Sequence, residues 1–478
     1  MRQTHLVPLI IATALFMENT DSTVIATSLP VIAADLGEDP IALKLALTSY
    51  LVSLAIFIPV SGWMADRFGA RTVFRAAIGV FMAGSLACAS ADSLAGFVLA
   101  RFFQGMGGAM MVPVGRLVLL RSVPKSEIVQ ALATLTIPAL IGPVVGPPLG
   151  GFITTYFDWR WIFFINIPIG ILGIVLSTLY IPNIREEDVP RLDVAGFLMS
   201  GLGLALLMLG LATGGRHLIP AEVSVSCVLV GIGLLAAYIR HARRTPAPVI
   251  KLSLLKIPTF RISVTGGFLF RVGVGAIPFL LPLMLQLGFG LNPLQSGALT
   301  FIAAVGAIFT KAIARWVLQR VGFRRLLTWN AFIGAAFLGL QGLFEPTTPY
   351  WLILLVLFVG GCFRSLQFTS LNAIGYADVT NREMSYATSL SGVAQQLSLS
   401  VGVALGALVL ETTASLKGDA ALAAGDFAPA FLVVAAVAAL SGFIFPRLAP
   451  DAGAEMSGHQ AVKAKTPSSG MGTGLDGS

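Results

Sequence analysis

Two carboxylates three residues apart, Glu18 and Asp21, stand in the stretch FMENTDSTV at 16–24. The run LVPLIIATALF precedes it and VIATSLPVI follows. A charged side chain near the centre of a bilayer costs about 2.5–3.5 kcal/mol on insertion scales, so acids in such company need a reason. On a helix this spacing puts both on one face, expected to point into a water-filled cavity. Adjacent carboxylates compete for a proton, which is the chemistry of a site that loads and releases protons. The expected countercharge is Arg101. Asp21 lies roughly 9 Å from the far end of a first span that closes near 27, and Arg101 roughly 10 Å from the same surface at 1.5 Å per residue. A pair at matched depth would strengthen or weaken with protonation. Glu18 has a second reading, direct attraction of cationic compounds.

Other polar and soft side chains sit at membrane depth. Arg271 and Arg364 are expected to face the acids or an anionic group in a cavity. Lys311 and Arg315 lie near a span end, where snorkelling explains them, and Glu411 closes a span at its outer end without needing a function. Phe16, Met17, Phe57, Phe102, Met106, Met110, Phe279, Phe301 and Phe368 are candidates for an adaptable pocket, because Met and Phe mould to varied shapes and attract cations. Gln286, Gln367, Asn372, Gln395 and Gln396 add hydrogen-bonding options. The cysteines Cys88, Cys227 and Cys362 follow no metal or disulfide spacing and read as small apolar residues. The four histidines, His5, His217, His241 and His459, lie in loops or at ends, which disfavours a histidine-ligated metal or haem. No GxxxxGK[ST] occurs, so an ATP-driven pump is unexpected and the energy source would be the proton gradient, with no cofactor.

The elements that must hold these residues follow from composition. The 478 residues are 56% hydrophobic and 11% charged, with mean hydropathy +0.86. That excess of apolar surface suits a polytopic membrane protein, each span taking about 20 mostly apolar residues. Fourteen apolar segments lie near 6–27, 45–65, 73–91, 94–119, 129–154, 160–181, 193–213, 222–241, 259–285, 295–318, 325–343, 350–373, 386–411 and 427–447. Helices are expected throughout, since an isolated span must satisfy its own backbone. One set of loops holds Arg67, Arg71, Arg75, Arg121, Lys125, Arg185, Arg191, Arg240, Arg243, Arg244, Lys251, Lys256, Arg320, Arg324, Arg325 and Arg382. The opposite set holds Lys44, Arg160, Arg216 and Lys417. This asymmetry predicts both termini in the cytoplasm, and it assigns the net charge of +8 to topology rather than to nucleic acid. The first segment is too long and too acidic for a cleaved signal peptide and is expected to remain as a span.

The chain repeats itself. GWMADRFGARTVF begins at Gly62 and RWVLQRVGFRRLL at Arg315, an offset of 253 residues that lays Arg67 on Arg320, Gly69 on Gly322 and Arg71 on Arg324. The same offset lays GGAMM at 107 on GGCFR at 360. This divides the chain into a six-helix bundle (1–184), two inserted helices (185–256), a second six-helix bundle (257–448) and a disordered tail (449–478). Twofold pseudo-repeats of membrane bundles imply alternating access around a midplane site. Asp66 and Arg67, with Gly62, Gly69 and Arg71, are expected to form a latch that breaks when the halves rock, the arginines pairing across them. Gly142, Pro143, Gly146, Pro147, Gly150 and Gly151 are expected to form a pliant, closely packed interface between the halves.

These stretches resemble the major facilitator superfamily. GWMADRFGART resembles its loop between the second and third helices, LARFFQGMGGA (99–109) its fourth-helix arginine motif, and IGPVVGPPLGGF (141–152) its fifth-helix antiporter motif, found in exporters rather than importers. TDSTVIATSLP (20–30) and WRWIFFINIPIG (159–170) resemble the fourteen-helix drug:proton antiporter branch, the EmrB/QacA type. The resemblance covers about residues 5–447, and it departs from the pattern at Thr20, usually apolar, and at the extra acid Glu18. It implies an all-α polytopic major facilitator fold and a non-enzymatic, proton-coupled multidrug exporter of amphipathic, cationic compounds in a bacterial inner membrane. Expected partners are a small-molecule substrate, protons and the lipid bilayer. A monomer is expected, and accessory subunits are not specified. The alternatives are an exporter of one metabolite (an organic acid, sugar or peptide) and a non-transporting membrane sensor.

Overall fold

The computed structural model describes residues 3–122, 128–183, 185, 189, 191–213, 220–380, 383–417 and 422–454. Each of the fourteen apolar segments is helical over its described residues. In chain order they are α1 (Gln3–Leu36), α2 (Lys44–Phe68), α3 (Ala70–Ala89), α4 (Leu94–Ser122), α5 (Ile128–Tyr156), α6 (Trp161–Tyr180) and α7 (Val194–Thr213). Then come α8 (Ala221–Ala242), α9 (Pro258–Gly288), α10 (Pro293–Val321), α11 (Phe323–Gln341), α12 (Tyr350–Tyr376), α13 (Met384–Lys417) and α14 (Ala424–Arg447). Among the described residues, twelve of them are long and apolar enough to cross a membrane; α5 and α11 are long helices at the other two expected places. The expected tail lies outside the described residues from 455 onward.

Local chemistry sets the joints. Asn292 and Gln295 form a reciprocal capping box at the start of α10, with Pro293 at its first position, where a missing N–H costs nothing. The turns α2–α3 and α10–α11 pivot on Gly69 (φ 93°) and Gly322 (φ 75°), the two glycines that the repeat superposes. One boundary differs from expectation. The first helix does not stop near 27 but runs to Leu36 with Pro30 inside it. Neighbouring helices re-satisfy the backbone freed by a membrane proline, so Pro30 is no terminator and Asp21 lies deeper than its distance from 27 implied.

The two bundles have the same neighbours. In the first, α1 packs on α5, α2 on α4, and α3 on α4 and α6; in the second, α9 packs on α13, α10 on α12, and α11 on α12 and α14. The bundles meet through α5 against α10 and α2 against α13. Helices α7 and α8 pair with each other, and α7 leans on α2. From the segment after α8, Lys251 Nζ donates to Glu383 before α13 (2.6 Å), which holds the Glu383 carboxyl below its usual range. Many side chains on the outside are apolar, among them Leu179, Leu198, Leu229, Trp316, Trp329 and Trp351, as a lipid-facing wall requires.

Packing between the bundles is uneven along their length. Call the end carrying Arg67, Arg71 and Arg324 the basic end, and the other the far end. Far-end residues of the first bundle, such as Leu29, Phe97, Trp159 and Phe163, share one buried apolar cluster with Phe279, Leu283 and Phe431 of the second. The basic-end half of the first bundle, around Ile11, Phe74, Phe81 and Met111, forms a cluster of its own. Polar contacts repeat this bias. Lys44 Nζ meets Glu411 Oε1 at 2.8 Å with both side chains buried. Gln286 Nε2 donates to the Thr27 carbonyl (2.8 Å), and the Leu294 N–H to Thr155 Oγ1 (3.1 Å). The far end is therefore closed.

Candidate functional site

Asp21 is buried inside the first bundle, where α1, α3, α4 and α6 converge. Arg101 Nη1 donates to Asp21 Oδ2 at 2.7 Å, with 1% and 2% of the two side chains exposed. The expected pair thus forms, and three residues that sequence reasoning did not single out complete it. Gln104 Nε2 and Asn166 Nδ2 both donate to Asp21 Oδ1, at 2.9 and 2.8 Å. Ser85 Oγ receives from both amides in turn, at 2.8 and 3.0 Å. Gln104 Oε1 accepts a second bond from Arg101 Nη1 at 2.6 Å. Three N–H donors, one of them a guanidinium, converge on the Asp21 carboxylate. Arg101 also lies over the Tyr50 ring, 4.3 Å from its centroid, in a geometry worth up to about 2 kcal/mol when desolvated. Gln104 lies one turn beyond Arg101 in LARFFQGMGGA, and Asn166 lies within WRWIFFINIPIG. A lone amide in an apolar span was the available signal.

Glu18 takes a different partner. Tyr50 Oη donates to Glu18 Oε1 at 3.2 Å, and Glu18 is 9% exposed. Neither acid reaches the cavity. The expectation that Glu18 and Asp21 face water is corrected: α2, α4 and α6 cover their side of α1 in this conformation.

The cavity itself, about 470 Å³, lies between the bundles. Thr23, Ala26 and Thr27 of α1 and Pro143, Val144 and Pro147 of α5 form one wall. Helices α9–α14 supply the rest, including Phe270, Arg271, Lys311, Arg364, Phe368, Asn372 and Gln395. Of the expected cavity residues it gathers Arg271, Arg364, Phe368, Asn372 and Gln395. Phe16, Met17, Phe57, Phe102, Met106, Met110, Phe279, Gln286 and Phe301 do not line it. Met17 and Met110 are buried in the first bundle's core, and Phe279 is fully buried in the cluster at the far end. Phe57 packs against Phe102 and Phe197, toward the inserted helices. Helical phase decides this, and one sequence without a known partner face does not show it. Lys311, assigned above to snorkelling, is a wall residue whose Nζ donates to Thr369 Oγ1 at 2.6 Å.

Two motifs pack differently from expectation. A Cβ on Gly142, Gly146 or Gly150 would strike α1, at Asn19 and Thr20, Thr23, and Val24 and Thr27 respectively. The stripe therefore lets α5 approach a helix of its own bundle. Gly151 presses on the other bundle, against Pro293 and Leu294, and so does Pro147, which meets Gly297 of α10. In the latch, Asp66 and Arg67 end α2, one turn after Gly62. Arg71 does not cross between bundles: its Nη1 donates to the Ile181 carbonyl after α6, at 3.2 Å. Asn183 fills the space beside Gly69, and its Oδ1 accepts from the Thr72 N–H at 3.3 Å.

With this geometry in place, comparisons identify the architecture. The family model described as Major Facilitator Superfamily matches residues 11–403 and 264–469. The chain belongs to the major facilitator superfamily. Among its relatives is a Klebsiella pneumoniae protein provisionally named multidrug resistance protein MdtD, 37% identical over 93% of this chain and 94% of that protein. A Pectobacterium atrosepticum protein of the same name is 36% identical over 92% and 95%. Among solved structures, a partially occluded inward-open form of the xylose transporter XylE from E. coli covers 94% of this chain and 98% of its own. Its TM-score is 0.63 at 13% identity, a likeness of fold alone. This major facilitator is a multi-pass membrane transporter and not an enzyme.

Proposed function

We propose that this chain is a proton-coupled antiporter that exports amphipathic small molecules by alternating access. The drug-resistance names of its relatives support export of several compounds rather than one. The observation that carries the coupling is the enclosed Asp21–Arg101 pair on α1, the helix that also contributes Thr23, Ala26 and Thr27 to the cavity wall. In the conformation with the far end closed, Asp21 is a satisfied carboxylate. When the far end opens, a proton neutralises Asp21 and frees Arg101, and the loosened α1 favours closure again. Return to the closed form re-pairs Arg101 and expels the proton toward the basic end. Each charge moved across 100 mV supplies about 2.3 kcal/mol, enough to drive a substrate uphill. We place the protein in the bacterial inner membrane as a monomer with both termini cytoplasmic, following the basic loops. Carriage of cations through Glu18 has less support, because Glu18 is bonded to Tyr50 away from the cavity.

The test uses energised everted vesicles holding the full chain and a panel of ethidium, cholate and an uncharged dye. A transported member of the panel should release protons, and Asp21→Asn should stop this while inserting normally. Uptake with no proton movement, or wild-type exchange by Asp21→Asn, would remove proton coupling from the mechanism.

A further inference from the structure

We infer that the cavity is an anion site: its cargo is an amphipathic carboxylate or sulfonate, gripped by Arg271 and Arg364. The inference rests on the transport reading above and assigns the charge of the substrate. Among the described wall residues three are ionisable, Arg271, Lys311 and Arg364, and none is acidic. The buried acids nearby are committed elsewhere: Asp21 to Arg101, Glu18 to Tyr50 and Glu411 to Lys44. Arg271 is 3% exposed, and its polar contact is a long bond from Nη2 to Asn372 Oδ1, at 3.3 Å. Its Nε is buried without a hydrogen-bond partner among the described residues. Arg364 has no hydrogen-bond or ion-pair partner among the described residues. A guanidinium held away from water without a countercharge is unfavourable, and a planar bidentate anion is the ligand that its fork fits. A cation is already in place beside the Phe368 ring, since the Arg271 guanidinium lies 5.6 Å from its centroid. The remaining wall, including Val274, Ile277, Leu281 and Leu399, is apolar and would take a hydrophobic body. A volume of about 470 Å³ suits one drug-sized molecule.

Equilibrium binding to the purified full chain in phosphatidylcholine nanodiscs tests this without a gradient. The probes are cholate, its uncharged amide and ethidium. Cholate should bind about tenfold or more tighter than its amide. Arg364→Gln and Arg271→Gln should each erase about that preference, while Arg364→Lys keeps part of it. Equal affinity for cholate and its amide, or ethidium binding tighter than cholate, would overturn the inference; this comparison on the wild-type chain decides even if a variant misfolds. Phosphatidylglycerol in the disc distinguishes two anion sources: competition with cholate makes a lipid headgroup the occupant, and unchanged affinity makes it a dissolved solute. The two proposals fail separately. Cholate binding without proton release in vesicles sinks the coupling alone, whereas ethidium-driven proton release without cholate binding sinks the anion site alone.

Discussion

At the scale of single residues, the protein separates two kinds of buried charge. Asp21 is surrounded by donors and Arg271 is short of acceptors. The first was legible in the sequence, because an acid and an arginine at similar depth in apolar helices have few other partners. Gln104, Asn166 and Ser85 were not, because single amides and hydroxyls occur throughout membrane helices as packing glue. Their placement around Asp21 yields a graded prediction. A hydrogen bond to a charged group contributes about 1.5–3 kcal/mol. Gln104→Leu or Asn166→Leu should therefore slow proton-driven efflux about tenfold or more, and Asp21→Asn should abolish it. Initial efflux rates from cells with matched amounts of inserted protein give the ranking. If both leucine variants export at the wild-type rate, the amides do not hold the carboxylate during turnover.

At the scale of elements, what sequence supplied was the residue type at each position, and what it withheld was the opposing face. The run Gly142, Gly146, Gly150 recurs every fourth residue and so announces a helix contact. Nothing in it says whether the partner is α1 or α10, and the structure divides the motif between them. The same limit put Phe57, Phe102 and Met110 in a pocket, although helical phase turns them into packing. A boundary failed where the first span was closed near 27, although α1 runs on through Pro30 to Leu36. The glycine stripe predicts a contrast. Gly150→Val drives a side chain into the α1 backbone at Val24, and Gly146→Val into Thr23. Overpacking of this kind costs about 1–3 kcal/mol, and more where the neighbour is backbone. Gly79→Val on α3 enters open space and should leave folding nearly unchanged. Melting temperature and the monodisperse fraction in detergent should fall for the first two variants only. Equal behaviour of all three would mean that α1 and α5 are not held at contact distance.

At the scale of the whole molecule, the all-helical membrane architecture followed from periodicity and length. The state of the gate did not, because it depends on which distant side chains meet. Lys44 entered as a far-end loop charge and Glu411 as a helix end without a role, yet 367 residues apart they form a buried pair between α2 and α13. One belongs to each bundle, so the bond exists only while the far end is closed. Breaking a buried pair by removing one partner costs about 3–5 kcal/mol, larger than the few kcal/mol that separate two working conformations. Glu411→Gln or Lys44→Met should therefore shift the population toward the form open at the far end. Replacing both by apolar residues, Lys44→Met with Glu411→Leu, removes the uncompensated charge and should return most of the population to the closed form. The readout is an Ala26→Cys probe on the cavity wall, in a background lacking Cys88, Cys227 and Cys362, labelled by an impermeant maleimide added to intact cells. Labelling should rise several-fold in each single variant and fall back in the double. A rate that stays the same in all three would show that apolar packing around Phe279 and Leu283, and not the ion pair, holds the far end shut.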